Sequence, residues 1–166
     1  MSQNTVDEYF TIARELMKAA DYCFFITQGE RNDIHSRLMH PFEPDQEFNV
    51  WLGASPKSRK VHEVLKQGKV TLSYLNPRSN AYVTLLGTAT IETSQEIKHK
   101  YWRAYWSDMY PGGPENTDYI VIKITPYQIE MMNFKESALP QPYSLKPLGL
   151  TRVNNEWALI ESMEEL

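Results

Sequence analysis

The sequence predicts a mainly β protein: a small barrel of six or seven mostly antiparallel strands, with helices at the N-terminus, after the third strand and near residue 100. Three observations predict it. Short runs of β-branched and aromatic residues recur between turn residues, as in Tyr22 to Thr27, Ile34 to Met39 and Phe48 to Gly53. Most connections are too short to hold the crossover helices that parallel strands need. The chain also carries no glycine-rich dinucleotide fingerprint and no P-loop, which argues against a doubly wound sheet.

Taken in order, Thr5 reads as an N-cap with Glu8 as its capping-box partner. Tyr9, Ile12, Ala13, Leu16, Met17 and Ala20 then repeat at helical spacing, and Asp21 breaks the helix. Tyr22 to Thr27 is a buried strand, Gln28 to Asp33 a hairpin turn, and Ile34 to Met39 the return strand. His40 to Gln46 is a loop with two prolines, and Phe48 to Gly53 a third strand. A short helix from Ser58 to Lys66 closes at Gln67-Gly68. Lys69 to Leu75 and Ala81 to Glu92 are strands around the turn Asn76 to Asn80, and Gly87 marks a bulge or a close backbone approach. Thr93 or Ser94 caps a helix running to about Ser107 through Ile97, Tyr101, Trp102, Tyr105 and Trp106. Tyr110 to Pro114 is a rigid loop, Tyr119 to Thr125 a strand and Gln128 to Asn133 another. A Pro-rich stretch follows to Leu148, then a small hairpin around Asn154-Asn155 and an acidic end from Glu161.

Composition narrows the function classes. With 166 residues and 42% hydrophobic content the chain can build one full core. A net charge of −4 excludes a general polyanion binder, so no nucleic-acid partner is expected and any basic site must be local. The single cysteine, Cys23, sits in an apolar run and reads as a buried, inert thiol in a reducing compartment. The N-terminus lacks the marks of a signal peptide, and no apolar run reaches the roughly 18 residues of a membrane helix. A cytoplasmic protein without membrane attachment is expected. Four Trp, ten Tyr and six Phe supply the core and leave aromatics for a planar ligand or a dimer interface.

One constellation concentrates anion-binding devices. Arg37 stands on the second strand, and Ser58-Arg59-Lys60 opens the helix after the third. Arg offers a planar fork to phosphate oxygens, Lys adds a point charge, and a helix start adds free N–H groups. Basic residues in a first helical turn also oppose the helix dipole, a cost that a bound anion relieves. The alternative is a solvated helix start with a basic first turn. The four histidines show no metal-ligand spacing, and no Ser–His–Asp arrangement supports hydrolysis.

These landmarks, in this order, resemble the pyridoxamine 5'-phosphate oxidase-like FMN-binding split barrels, and most closely their general stress protein branch. They run from Arg37-Leu38-Met39 through Trp51-Leu52-Gly53-Ala54 and Ser58-Arg59-Lys60 to Gly87-Thr88-Ala89. Trp102, the Tyr110 to Gly113 loop and the strand closing at Ile129-Glu130 complete them. The chain departs from the family at Leu38, where proline is usual, at Ala54, where threonine is usual, and at Met131-Met132, where Tyr-Trp is frequent. The resemblance implies a split β-barrel and an FMN cofactor. It places the flavin phosphate on Arg37 and Lys60 with Ser58 and Arg59 nearby, and the ring along Leu38, Met39, Gly53 and Ala54. Asn80 or Tyr82 would reach the ring's polar edge or the ribityl chain. Such sites lie between two subunits, so Trp102 or Trp106 would come from the partner, unless both serve ordinary helix packing. The implied protein is a homodimeric flavoprotein, either an oxidoreductase linked to stress, with an unnamed substrate, or a flavin-binding module without turnover; a reductase using a deazaflavin is a further reading. The barrel domain is expected over residues 1–136, with 137–166 as an extension docked on it outside the barrel core and partly covering the site.

Overall fold

Every strand pairing in the computed structural model is antiparallel, and together the pairings link eight strands into one sheet. The structure describes residues 3–133 and 147–160. Helix α1 spans Gln3–Ala20, so Thr5 lies inside its first turn and not at the N-cap. Its buried face carries Val6, Tyr9, Ala13, Leu16 and Met17 into the main core. Asp21 ends it in the left-handed region, at φ 63°.

Strands β1 (Cys23–Gln28) and β2 (Ile34–Met39) form a hairpin in which Phe25 faces Arg37 and Thr27 faces His35. Strand β3 (Val50–Ala54) starts later than expected, because Phe48 adopts φ 68° and drives its ring into the core. Helix α2 (Arg59–Lys66) follows, with Val61 and Val64 buried in that core. Strand β4 (Lys69–Asn76) pairs along its whole length with Ala81 to Thr88 of β5 (Ala81–Glu92).

Strand β6 runs unbroken from Ile120 to Asn133, where two strands were expected. The proline between them, Pro126, sits opposite Gly87 where the register shifts, and a bulge tolerates a residue without a donor. At Gly87 a Cβ would stand 2.7 Å from the Thr125 carbonyl, so only glycine fits. Helix α3 is short, Gln95–Lys100, and does not reach Ser107. Arg103 is extended instead, its guanidinium over the Phe42 ring at 4.5 Å, and a 3-10 turn covers Ala104–Asp108. That break lets Tyr101 and Trp106 enter a second core cluster with Trp51, Tyr119 and Val121.

The strand order is β2-β1-β4-β5-β6-β7-β8, with β3 paired to β6. One edge of β6 is shared: β3 takes Ile120 to Ile124, and β7 (Leu148–Val153) takes Gln128 to Met131. Strand β8 (Glu156–Ile160) closes the terminal hairpin, whose turn residues Asn154 and Asn155 have φ 51° and 65°, as a primed turn requires. Within the segment expected to lie outside the barrel core, β7 and β8 instead extend the sheet. Leu148 and Leu150 are buried in the main core, and Trp157 meets Phe10 edge-on at 5.3 Å. The Pro-rich run to Lys146 and the acidic end from Glu161 lie outside the described residues.

Candidate functional site

Arg37 is anchored from three sides. One terminal nitrogen donates to the Phe25 carbonyl at 3.2 Å and to Thr27 Oγ1 at 2.6 Å. The other donates to Glu63 Oε2 at 3.1 Å. The β1–β2 pairing sets this up, since it brings Phe25 and Thr27 under the arginine stem. A guanidinium has five N–H donors, so among the described residues two remain unspent.

Glu63 reaches Arg37 from α2 and is only 6% exposed. It accepts from Thr27 Oγ1, lies 2.5 Å from His35 Nδ1, and faces Arg59 Nε at 3.6 Å. Burial alone would push its carboxyl upward; hydrogen bonds from Thr27, His35 and Arg37 outweigh that and hold it below the usual value. Lys60 sits one turn earlier on the same helix, half-buried. Burial, and after it the charge of Arg37, lowers its ammonium from the ordinary lysine value. Among the described residues no acid forms an ion pair with Lys60. Two neighbouring cations, one unpaired and partly desolvated, make a place where an anion is favoured.

The other expected site residues divide between places. Arg59 is exposed at the start of α2, and Ser58 donates through Oγ to the Ser55 carbonyl at 2.7 Å. Leu38 and Met39 point to opposite faces of β2: Leu38 outward at 59% exposure, Met39 against the main core. Tyr82 is half-buried on that same outer face of the sheet, and Asn80 is exposed in the turn before it, at φ 50°. Ala54 is buried in the main core. Gly53 is covered by its own chain, since a Cβ there would stand 2.6 Å from the Trp106 ring and 3.1 Å from Tyr119. Trp106 is therefore a packing residue of the second cluster, and Trp102 meets it edge-on at 5.8 Å. Within their own chain both tryptophans pack in the second cluster, Trp106 in the 3-10 turn and Trp102 between that turn and α3.

Sequence reading missed Glu63, His35 and Thr27. Glu63 follows Arg59 by four residues, which reads as an ordinary surface pair. Its burial depends on α2 packing against the β1–β2 hairpin, which no local pattern announces. The same packing leaves a cleft of about 760 Å³ between the hairpin turn and α2, lined by Gln28, Asn32, His35, Arg59, His62 and Lys66.

A cofactor phosphate fits the Arg37–Lys60 pair by charge and by unspent donors. A ring seat on the side-chain face of Gly53 does not fit, because Trp106 fills it. The sequence profile of the pyridoxamine 5'-phosphate oxidase like family matches residues 8–148. The chain belongs to that family. No curated protein matches it. Among solved structures, this family member is similar to General Stress Protein 26 from Bacillus anthracis (20% identity, 75% of this chain and 93% of that one, TM-score 0.66). It is similar to a pyridoxamine 5'-phosphate oxidase-related, FMN binding protein from Nostoc punctiforme (12% identity, 98% and 100% covered, TM-score 0.67). It is also similar to a heme binding protein from Mycobacterium smegmatis (13% identity, 72% and 52% covered, TM-score 0.57). At these identities the likeness is one of fold: this is a split barrel of the pyridoxamine 5'-phosphate oxidase like kind.

Proposed function

We propose that the protein is an FMN-binding flavoprotein whose phosphate anchor is the Arg37–Lys60 pair, acting as a flavin-dependent oxidoreductase linked to the stress response. The observation that carries the reading is Lys60: a half-buried ammonium beside a second cation, with no acid paired to it among the described residues. The general stress protein and FMN binding relatives support it. In this reading FMN, when bound, supplies the electron-transfer chemistry, and the chain supplies anchoring and orientation. Arg37 and Lys60 hold the phosphate, with Arg59 adding charge at the rim. Leu38 and Tyr82 stand on the outer sheet face, where a second copy of the chain would complete the ring environment. The protein is then a cytoplasmic homodimer. No helix among the described residues is long and apolar enough to cross a membrane.

The test is the visible spectrum of the purified protein with and without added FMN, followed by titration. Charge-assisted contacts to phosphate contribute roughly 1.5–3 kcal/mol each. Arg37→Ala should therefore weaken FMN by about tenfold or more while changing riboflavin little. Equal losses for both ligands would remove Arg37 from the phosphate site. Reduction of the bound flavin by NADH or NADPH marks an oxidoreductase; binding without reduction marks a flavin-binding module.

A further inference from the structure

We propose that Glu63 is a positioning residue for the anion site: its buried carboxylate, braced by Thr27 and His35, holds the Arg37 guanidinium so that its two unspent N–H donors serve a ligand phosphate. The inference rests on the reading of Arg37 and Lys60 as a phosphate anchor.

Glu63 takes part in two of the three anchors of Arg37, directly through Oε2 and indirectly through Thr27, while the Phe25 carbonyl makes the third. Glu63 Oε2 takes both the Arg37 donor and the Thr27 hydroxyl, and Thr27 Oγ1 in turn accepts from Arg37. Arg37, Thr27 and Glu63 thus close a ring of hydrogen bonds across β1, β2 and α2. His35 occupies the other oxygen, so the carboxylate cannot rotate away from the ring. The Phe25 ring adds a further contact, its centre 5.7 Å from the Arg37 guanidinium carbon.

Simple electrostatics argues the other way, and that makes the idea testable. An acid beside an anion site repels the anion, and the repulsion is strong where water is excluded. Three cations, Arg37, Arg59 and Lys60, outnumber it, so the locality stays positive. If Glu63 mattered only as a charge, removing it would tighten phosphate binding. If it aims Arg37, removing it loosens phosphate binding, because a free arginine loses the fixed fork on which bidentate contacts depend.

The experiment uses full-length protein: wild type, Glu63→Gln and Glu63→Ala, each titrated with FMN, riboflavin and inorganic phosphate. The side-chain N–H signals of Arg37 are followed by NMR in the ligand-free state and with phosphate. Positioning predicts that the ratio of FMN to riboflavin affinity falls at least about threefold in Glu63→Gln and about tenfold in Glu63→Ala. It also predicts that the Arg37 signals lose their restricted, shifted character before any ligand is added. An unchanged or raised ratio in Glu63→Gln overturns the proposal. That variant keeps the size of the side chain and an oxygen acceptor, so it decides the matter even if Glu63→Ala does not fold. Wild type that binds phosphate but not FMN removes the flavin reading, and the phosphate affinities then judge Glu63 alone. Wild type that binds neither removes both.

Discussion

Trp106 lies so close to Gly53 that no side chain fits between them. A methyl group at position 53 would press on two ring carbons of the buried Trp106 indole and stand 3.1 Å from the Tyr119 ring. Overpacking of this kind costs about 1–3 kcal/mol. Gly53→Ala should lower the urea midpoint accordingly with an unchanged slope, and an unaltered midpoint would show that the indole can move aside. Glu63 carries a second residue-scale prediction. Its carboxyl is held below the ordinary value in the fold, so on acidification the unfolded chain takes up this proton first. The stability this group adds is complete above the ordinary glutamate value of about 4.3 and is lost as pH falls through the lowered one. The stability gap between wild type and Glu63→Gln should therefore hold at neutral pH and shrink as pH falls below about 4.3. A gap constant over that range would mean that the native network leaves the carboxyl unshifted. Cys23 behaves otherwise: burial pushes its thiol up to about 12, against a smaller opposing effect of Tyr74, which leaves it inert at neutral pH.

At the scale of elements, the terminal hairpin is where position along the chain misleads most. Ending the chain at Glu136 strips β7 from Gln128 to Met131 and takes Leu148 and Leu150 out of the core. Losing a buried leucine typically costs about 2–5 kcal/mol, a large share of a total stability of about 5–15 kcal/mol. The truncated protein should lose cooperative thermal unfolding. A sharp transition near the wild-type temperature would restore residues 1–136 as an independent domain. The sequence shows the hairpin itself through Asn154-Asn155 and the alternation around it, and it gives β2 and β5 to the residue. It does not show which edge the hairpin joins, because pairing partners are set by tertiary register. The same limit explains the other departures. Pro126 reads as a strand break, yet the bulge opposite Gly87 absorbs it. Ile97 to Trp106 has helical spacing, yet aromatic packing on Phe42 and Trp51 ends α3 at Lys100. At the candidate site, sequence reading singles out Arg37 and Lys60 by their charge and the helix start, whereas Glu63 looks like any helix-surface acid until α2 is docked.

For the whole molecule, the outer face of the sheet is the feature that asks for a partner. Ile34 and Leu38 on β2, Phe24 on β1 and Leu75 on β4 all lie on it, and all are exposed. Phe24 and Leu38 stand directly opposite each other, and Tyr82 stands opposite Leu75. A second copy laid on this face would bury these side chains together, in an interface of the obligate class above about 2,000 Å². Sedimentation at micromolar concentration should show only dimer, and Leu38→Glu should release monomer. A monomeric wild type that still binds flavin would separate the cofactor site from self-association. The shared edge of β6 also orders events in time. Strand β3 pairs with β6 alone, Val50 with Ile124 and Ala54 with Ile120, so it has no strand to join while the intervening chain is unmade. The hairpin that carries Arg37 closes locally and early, whereas the helix that carries Lys60 hangs from a strand still waiting for its partner. A nascent chain stalled before Tyr119 would hold Arg37 and Lys60 on one polypeptide without the β3–β6 pairing that seats α2 beside the hairpin, so their spacing is fixed only once β6 is made.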